Sequence, residues 1–173
     1  MGYLQLLLLV LLIGLAVQDF RYRAIYAWLF LLLFVVLGCL KLLQGTWMVM
    51  LADLGYNTAF LAAQILLLSI YFSIKHRRWI NIFKVHFGLG DLLFLLSISV
   101  YFSFFNYVLF YLLSLTCSVL ASLLINVYVK SFKNSIPLAG IQAVVFALCI
   151  SVSLFDTKIV LTSDLGLVNL FGL

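Results

Sequence analysis

Six stretches of almost uninterrupted apolar residues constrain the fold of this 173-residue chain. They cover roughly residues 2–17, 24–43, 56–74, 92–105, 107–129 and 138–155. A helix needs about 20 apolar residues to cross a bilayer, and a backbone inside hydrocarbon must satisfy its own hydrogen bonds. Strands of a membrane barrel would alternate apolar and polar residues, and these runs do not. The sequence therefore predicts an all-α polytopic membrane bundle of about six transmembrane helices, forming one domain over residues 1–173.

The pattern also gives four finer expectations. The first and fourth runs are short, and each borders an aspartate, so those helices are expected to include a polar turn. The break between the fourth and fifth runs is expected near Asn106. Residues 47–53 are expected at the membrane interface, and the mildly apolar tail from residue 156 to 173 on the membrane or against the bundle.

The scarcity of charge excludes most soluble functions. Charged residues make up 9% of the chain and hydrophobic residues 67%, whereas a soluble domain carries about a quarter charged residues. The net charge of +5 is better explained by membrane topology and lipid headgroup contact than by nucleic acid. The three cysteines are odd in number, lie in apolar runs and form no C-x-x-C, so we expect packing residues and no metal or other cofactor.

The basic residues predict an orientation. Eight of the ten lysines and arginines fall in three loops, after the first, third and fifth helices: Arg21, Arg23, Lys75, Arg77, Arg78, Lys84, Lys130 and Lys133. Positively charged loops stay in the cytoplasm. The prediction is a multi-pass protein of the inner (cytoplasmic) membrane with both termini on the outer side.

The acidic residues indicate a candidate site. The chain has no glutamate, and its five acidic residues are Asp19, Asp53, Asp91, Asp156 and Asp164. The predicted topology puts only Asp19 and Asp91 on the cytoplasmic side, at the end of the first helix and the start of the fourth. A carboxylate near hydrocarbon costs free energy, so two at matching depth suggest a shared task.

A pair of carboxyls has a definite chemistry. Two such groups a few ångströms apart do not both ionise easily, and they titrate as a unit that holds one proton. The ionised carboxyl can activate water while the protonated one polarises a carbonyl group. Taken singly, Asp91 is equally well explained as a helix N-cap, and Asp19 as an interfacial residue paired with a nearby arginine.

The residues around both aspartates resemble a known family. Asp91 ends a G-x-G-D sequence that begins at Gly88, and Asp19 begins the sequence DFRYRAI over residues 19–25. A later segment, 133–140, contains Ile136-Pro137 before the last helix. These elements, in this order on six helices, resemble the type IV prepilin peptidases, including the archaeal preflagellin peptidases.

The resemblance implies a membrane aspartic endopeptidase that removes the basic leader of pilin-like or pseudopilin precursors at the cytoplasmic membrane face. It implies catalytic roles for Asp19 and Asp91. It also implies supporting or substrate-binding roles for Gly88, Gly90, Arg23, Ile25, Ile136 and Pro137. Its expected partners are the precursor protein and membrane lipids, with no nucleic acid.

The chain departs from the family pattern at several points. Tyr26 replaces a proline, Leu93 replaces a lysine, and the cysteine-rich cytoplasmic domain of many bacterial members is absent, so methylation of the product is not expected. Two alternatives remain open: a presenilin-like or signal-peptide-peptidase-like protease, which also uses G-x-G-D, and a catalytically inactive family member acting as a membrane assembly subunit. An ion or proton transporter would be expected to carry its carboxylate nearer the bilayer midplane.

Overall fold

The computed structural model describes residues 2–77, 88–128, 138–155 and 160–164. Within these ranges the chain forms six helices and no strand, which confirms the predicted all-α bundle. The helices are α1 (Gly2–Tyr22), α2 (Ala27–Gln44), α3 (Trp47–His76), α4 (Leu89–Ile98), α5 (Phe104–Tyr128) and α6 (Leu138–Phe155).

Four of these helices, α1, α2, α3 and α5, are long and apolar enough to cross a membrane, and α4 and α6 are the shorter apolar ones. Many large apolar side chains point outward from them, for example Leu31, Leu66 and Leu120, which are 67%, 57% and 60% exposed. Exposing so many apolar side chains to water would cost free energy, whereas contact with lipid tails would not. The molecule is therefore a multi-pass helical membrane protein.

The core is built around α1, which packs against both α6 and α2, while α4 packs mainly against α2. Leu8, Leu12 and Leu15 form the buried stripe of α1 at helical spacing. Near the centre, the rings of Phe102 and Phe146 have centroids 5.2 Å apart. This packing brings the last turn of α1 beside the first turns of α4 and α6.

The break between the fourth and fifth helices is not near Asn106, as predicted, but at residues 99–103. Asn57, a fully buried residue of α3, donates through its side-chain amide to the carbonyls of Ser99 (2.8 Å) and Phe102 (2.9 Å). Those carbonyls have lost their helical partners, and Asn57 satisfies them inside the bundle. A partner 42 residues away in sequence therefore fixes the break.

Asn106 has a different role from the predicted one. It lies inside α5 and donates through its side-chain amide to the Ser103 hydroxyl at 2.8 Å. The same amide contacts carbonyls of the segment 160–164, which thus packs against the bundle. The Lys41 ammonium also donates to the Thr162 carbonyl at 2.6 Å. The other residues of the predicted tail, 156–159 and 165–173, lie outside the described ranges.

Residues 47–53, expected at the interface, form the first two turns of α3 and are continuous with it. Asp53 in this stretch forms an ion pair with Lys41 of α2 at 2.8 Å, with both side chains largely buried. Each charge compensates the other, so the helix continues through an acidic residue. Lys41 lies in the last turn of α2, at the opposite end of that helix from the aspartate site described below.

Candidate active site

Asp19 lies in the last turn of α1 and is only 8% exposed. The helix ends because Arg23 adopts a left-handed conformation, with φ 51°, while its N–H donates to the Asp19 carbonyl at 3.0 Å. A non-glycine residue in this conformation costs on the order of 1 kcal/mol. The reversal at Arg23 turns the chain into α2 within a few residues and leaves Asp19 facing inward at the end of α1.

Asp91 lies in the first turn of α4, with Gly88 as the N-cap residue. Gly88 has φ −70° and ψ 129°, a conformation open to any residue, so the site does not depend on the backbone freedom of glycine here. Its missing side chain is what matters, because a Cβ there would lie 2.7 Å from Asp91 Oδ2. The carboxyl of Asp91 therefore occupies the space that any other residue at position 88 would fill.

Gly90 differs from Gly88 in this respect. A Cβ at Gly90 would meet only the ring edge of Phe30, at 4.0 Å, which is an ordinary contact distance. Of the two glycines in the G-x-G-D sequence, only Gly88 is required by the position of the aspartate.

The two aspartates line one cavity of about 310 Å³. Six of the residues that the sequence singled out meet there, although they come from two separate parts of the chain, 19–25 and 88–91. The lining residues are Asp19, Arg23, Ala24, Ile25, Phe30, Gly88, Leu89, Gly90, Asp91, Leu93, Leu138 and Ala139.

The first turn of α6 holds both carboxyls. The N–H of Gly140 donates to Asp19 Oδ2 at 2.5 Å, and the backbone N–H of the preceding residue, Ala139, hydrogen-bonds to Asp91. These amides have no partner inside their own helix, and the helix dipole favours negative charge at this end. Two successive amides of α6 therefore each bind one aspartate.

Gly140 was missed as a site residue by sequence reasoning. A Cβ there would lie 3.1 Å from both the Cβ and Oδ2 of Asp19, closer than almost all real contacts. Glycine thus lets α6 approach α1 closely enough for the amide to reach the carboxyl. The available signal was the position of Gly140 in the first turn of a predicted helix, three residues after Pro137.

Burial and a neighbouring charge both raise the pKa of Asp91, a residue that lies outside the four helices long enough to span a bilayer. The pKa of Asp91 is raised from 3.8 to about 6, mainly by burial and also by the charge of the nearby Asp19 carboxyl. The hydrogen bond from the backbone of Ala139 acts in the opposite direction. A pair of this kind retains a proton closer to neutral pH than an isolated aspartate does.

The remaining predicted residues divide into two groups. Ile136 and Pro137 lie outside the described ranges, although the next two residues, Leu138 and Ala139, line the cavity. Tyr26, which stands where the prepilin peptidases that the sequence resembles have a proline, is the exposed N-cap residue of α2. Within the described ranges, no group of three or more His, Cys or Asp side chains is arranged to hold a metal ion.

Comparisons of the chain with protein-family models, with curated proteins and with solved structures found no match.

Proposed function

We propose that this protein is a membrane-embedded aspartic endopeptidase that removes the basic leader of pilin-like or pseudopilin precursors at the cytoplasmic membrane face. The observation that carries the proposal is the shared cavity of Asp19 and Asp91. Two aspartates 72 positions apart in sequence line it together, and neighbouring amides of α6 bind them both.

The chemistry follows from one proton shared by two carboxyls. The ionised carboxyl removes a proton from water as the water oxygen attacks the scissile carbonyl carbon, while the protonated carboxyl donates its proton to the carbonyl oxygen. The resulting tetrahedral diol collapses when the C–N bond breaks: the newly protonated carboxyl donates its proton to the leaving amine, and the other carboxyl takes a proton from a diol hydroxyl. The pair returns to its singly protonated state, and the reaction requires no covalent intermediate.

The surroundings of the cavity support a substrate at the membrane surface. The exposed aromatic side chains Tyr22, Tyr26 and Trp28 are close in sequence to the lining residues 23–25, as expected of residues at the headgroup level. A leader junction, where a polar segment meets an apolar helix, would be found at the same level. The substrate class itself rests on the family resemblance of the residues around the aspartates.

The direct test is co-expression with a cognate prepilin, followed by detection of leader removal on immunoblots. Asp19→Asn and Asp91→Asn are each expected to abolish processing. Asp164→Asn is the matched control, because Asp164 belongs to the segment packed near Lys41 at the far end of α2. Normal processing by either of the first two variants would disprove the assignment.

A second candidate function is an inactive family member that acts as a membrane assembly subunit. One observation favours it: Leu93 lines the cavity at the position where the family has a lysine. This candidate predicts that the unmodified chain leaves the prepilin uncleaved and still co-purifies with it.

A further inference from the structure

A groove lies between α2 and α4 on the outer surface of the bundle, directly next to the aspartate cavity. Its volume is about 380 Å³, and its walls are almost entirely apolar. The groove is lined by Ala27, Phe30, Leu31, Phe34, Leu93, Leu96 and Ser97. Phe30 and Leu93 also line the cavity, so the groove and the cavity lie against each other and share these two side chains.

The groove follows from the way the two helices run. The Cβ position of Gly90 lies nearest Phe30, and that of Gly38 lies nearest Val100, so α2 and α4 run in the same direction. Along α2 the groove residues recur with the spacing of one helical face, from Ala27 to Phe34. At about 1.5 Å per residue this stretch extends roughly 10 Å away from the cavity, toward the middle of the bundle.

The chemistry of the groove selects an apolar occupant. Among the described residues that line it, one side chain is polar: the Ser97 hydroxyl, which donates to the carbonyls of Phe30 (3.0 Å) and Leu93 (2.7 Å). These described lining residues therefore leave no hydroxyl donor for a polar ligand. Its opening is on the lipid-facing side, where Leu31 is 67% exposed, and Ala27 near the cavity end leaves room for close helix approach.

The position of the groove indicates that the molecule it binds lies within the bilayer. A water-soluble peptide reaches the cavity from the headgroup level. Entering a groove that faces hydrocarbon would cost such a peptide the hydration of its polar groups. A membrane-anchored peptide has a polar segment for the cavity and an apolar helix that continues down the groove. We propose that the α2–α4 groove docks the apolar helix of a membrane-anchored substrate immediately after its scissile bond, an inference that rests on the proposed endopeptidase activity.

The first test separates docking from catalysis by comparing two substrates in detergent. One is the membrane-anchored precursor, and the other is a short soluble peptide containing the same junction without the apolar helix. Ala27→Trp fills the groove, and we expect it to slow cleavage of the precursor at least about tenfold, the effect of about 1.4 kcal/mol of lost binding. Cleavage of the short peptide is expected to remain within about threefold of the unmodified protein's rate.

The matched control is Leu32→Trp, which adds the same side chain at an exposed position of α2 that does not line the groove. It is expected to leave both rates unchanged. Unchanged cleavage of the precursor by Ala27→Trp would overturn the docking proposal. An equal loss with both substrates would also overturn it, because the substitution would then act on the cavity.

A second measurement does not depend on cleavage, and it still tests the docking proposal if Ala27→Trp fails to fold. A photoreactive amino acid replaces Leu31 in an Asp91→Asn background, and the protein is illuminated in vesicles that contain the precursor. Covalent capture of the precursor's apolar helix supports the proposal, and capture of lipid alone overturns it. If the unmodified protein cleaves neither substrate while capture succeeds, the proposed activity fails and the docking site stands.

Discussion

Replacing Gly88 with alanine tests how the structure holds Asp91. The new Cβ would lie 2.7 Å from Oδ2 and 3.3 Å from Cγ of that carboxyl, and a normal contact begins near 3.4 Å. The backbone at Gly88 is already in a conformation open to alanine, with φ −70° and ψ 129°, so the substitution adds no backbone strain. Relief requires the carboxyl itself to move by about 0.7 Å.

A displacement of this size in a reacting group strongly lowers the catalytic rate. Misplacement by about 1 Å lowers catalytic rates roughly a hundredfold. We therefore expect Gly88→Ala to lower kcat for leader cleavage by one to two orders of magnitude, with little change in thermal stability. The assay is the rate of product formation by purified protein in detergent, measured with saturating precursor.

Gly90→Ala is the matched control for Gly88→Ala. Its Cβ would meet only Phe30, at 4.0 Å, and alanine inside a helix is more stable than glycine by about 0.5–1 kcal/mol. We expect near-normal kcat and a slightly higher melting temperature. Equal activity of the two alanine variants would refute the argument that Gly88 provides the space for the Asp91 carboxyl.

Three further predictions follow from the site and the core. In Gly140→Ala the new Cβ would lie 3.1 Å from the Cβ and Oδ2 of Asp19 and would push that side chain by a few tenths of an ångström. We expect kcat to fall about tenfold. Gly14→Ala is the control, because a Cβ at Gly14 would meet nothing within 4 Å, and it should leave kcat unchanged. Asp91→Asn should stabilise the protein at pH 8 by at most about 3 kcal/mol, because ionising a group whose pKa is raised from 3.8 to about 6 destabilises the folded state. That gain should develop between about pH 4 and 6 and be absent below pH 4 in melting curves recorded across pH. Asn57→Leu removes two buried hydrogen bonds to the turn between α4 and α5 and should lower the unfolding free energy by about 2–4 kcal/mol in denaturant titrations. An unchanged denaturation midpoint would contradict the role given to Asn57.

The sequence predicted the features that depend on local pattern. Apolar runs predicted six helices because each run is almost uninterrupted, and the structure has six within the described ranges. The loop charges separated Asp19 and Asp91 from Asp53, and the structure likewise has Asp53 paired with Lys41 at the opposite end of α2 from the cavity. Both inferences needed only composition and position along the chain.

The features that the sequence missed depend on contacts between distant segments. The break at residues 99–103 is stabilised by Asn57, and no local signal separates 99–103 from the apolar run around it. The amide of Gly140 meets a carboxyl 121 positions away in sequence. Neither partner is visible until the helices pack.

The central claim is that Asp19 and Asp91 act as one catalytic unit, and a double-mutant comparison in proteoliposomes tests it most directly. Cleavage of the reconstituted precursor is measured for Asp19→Asn, Asp91→Asn and the double variant. When two residues act as a unit, the rate losses caused by replacing each of them are not additive. We predict that each single variant is as inactive as the double variant, at least about a thousandfold below the unmodified protein. Retention by either single variant of a tenth or more of the unmodified rate would contradict the account.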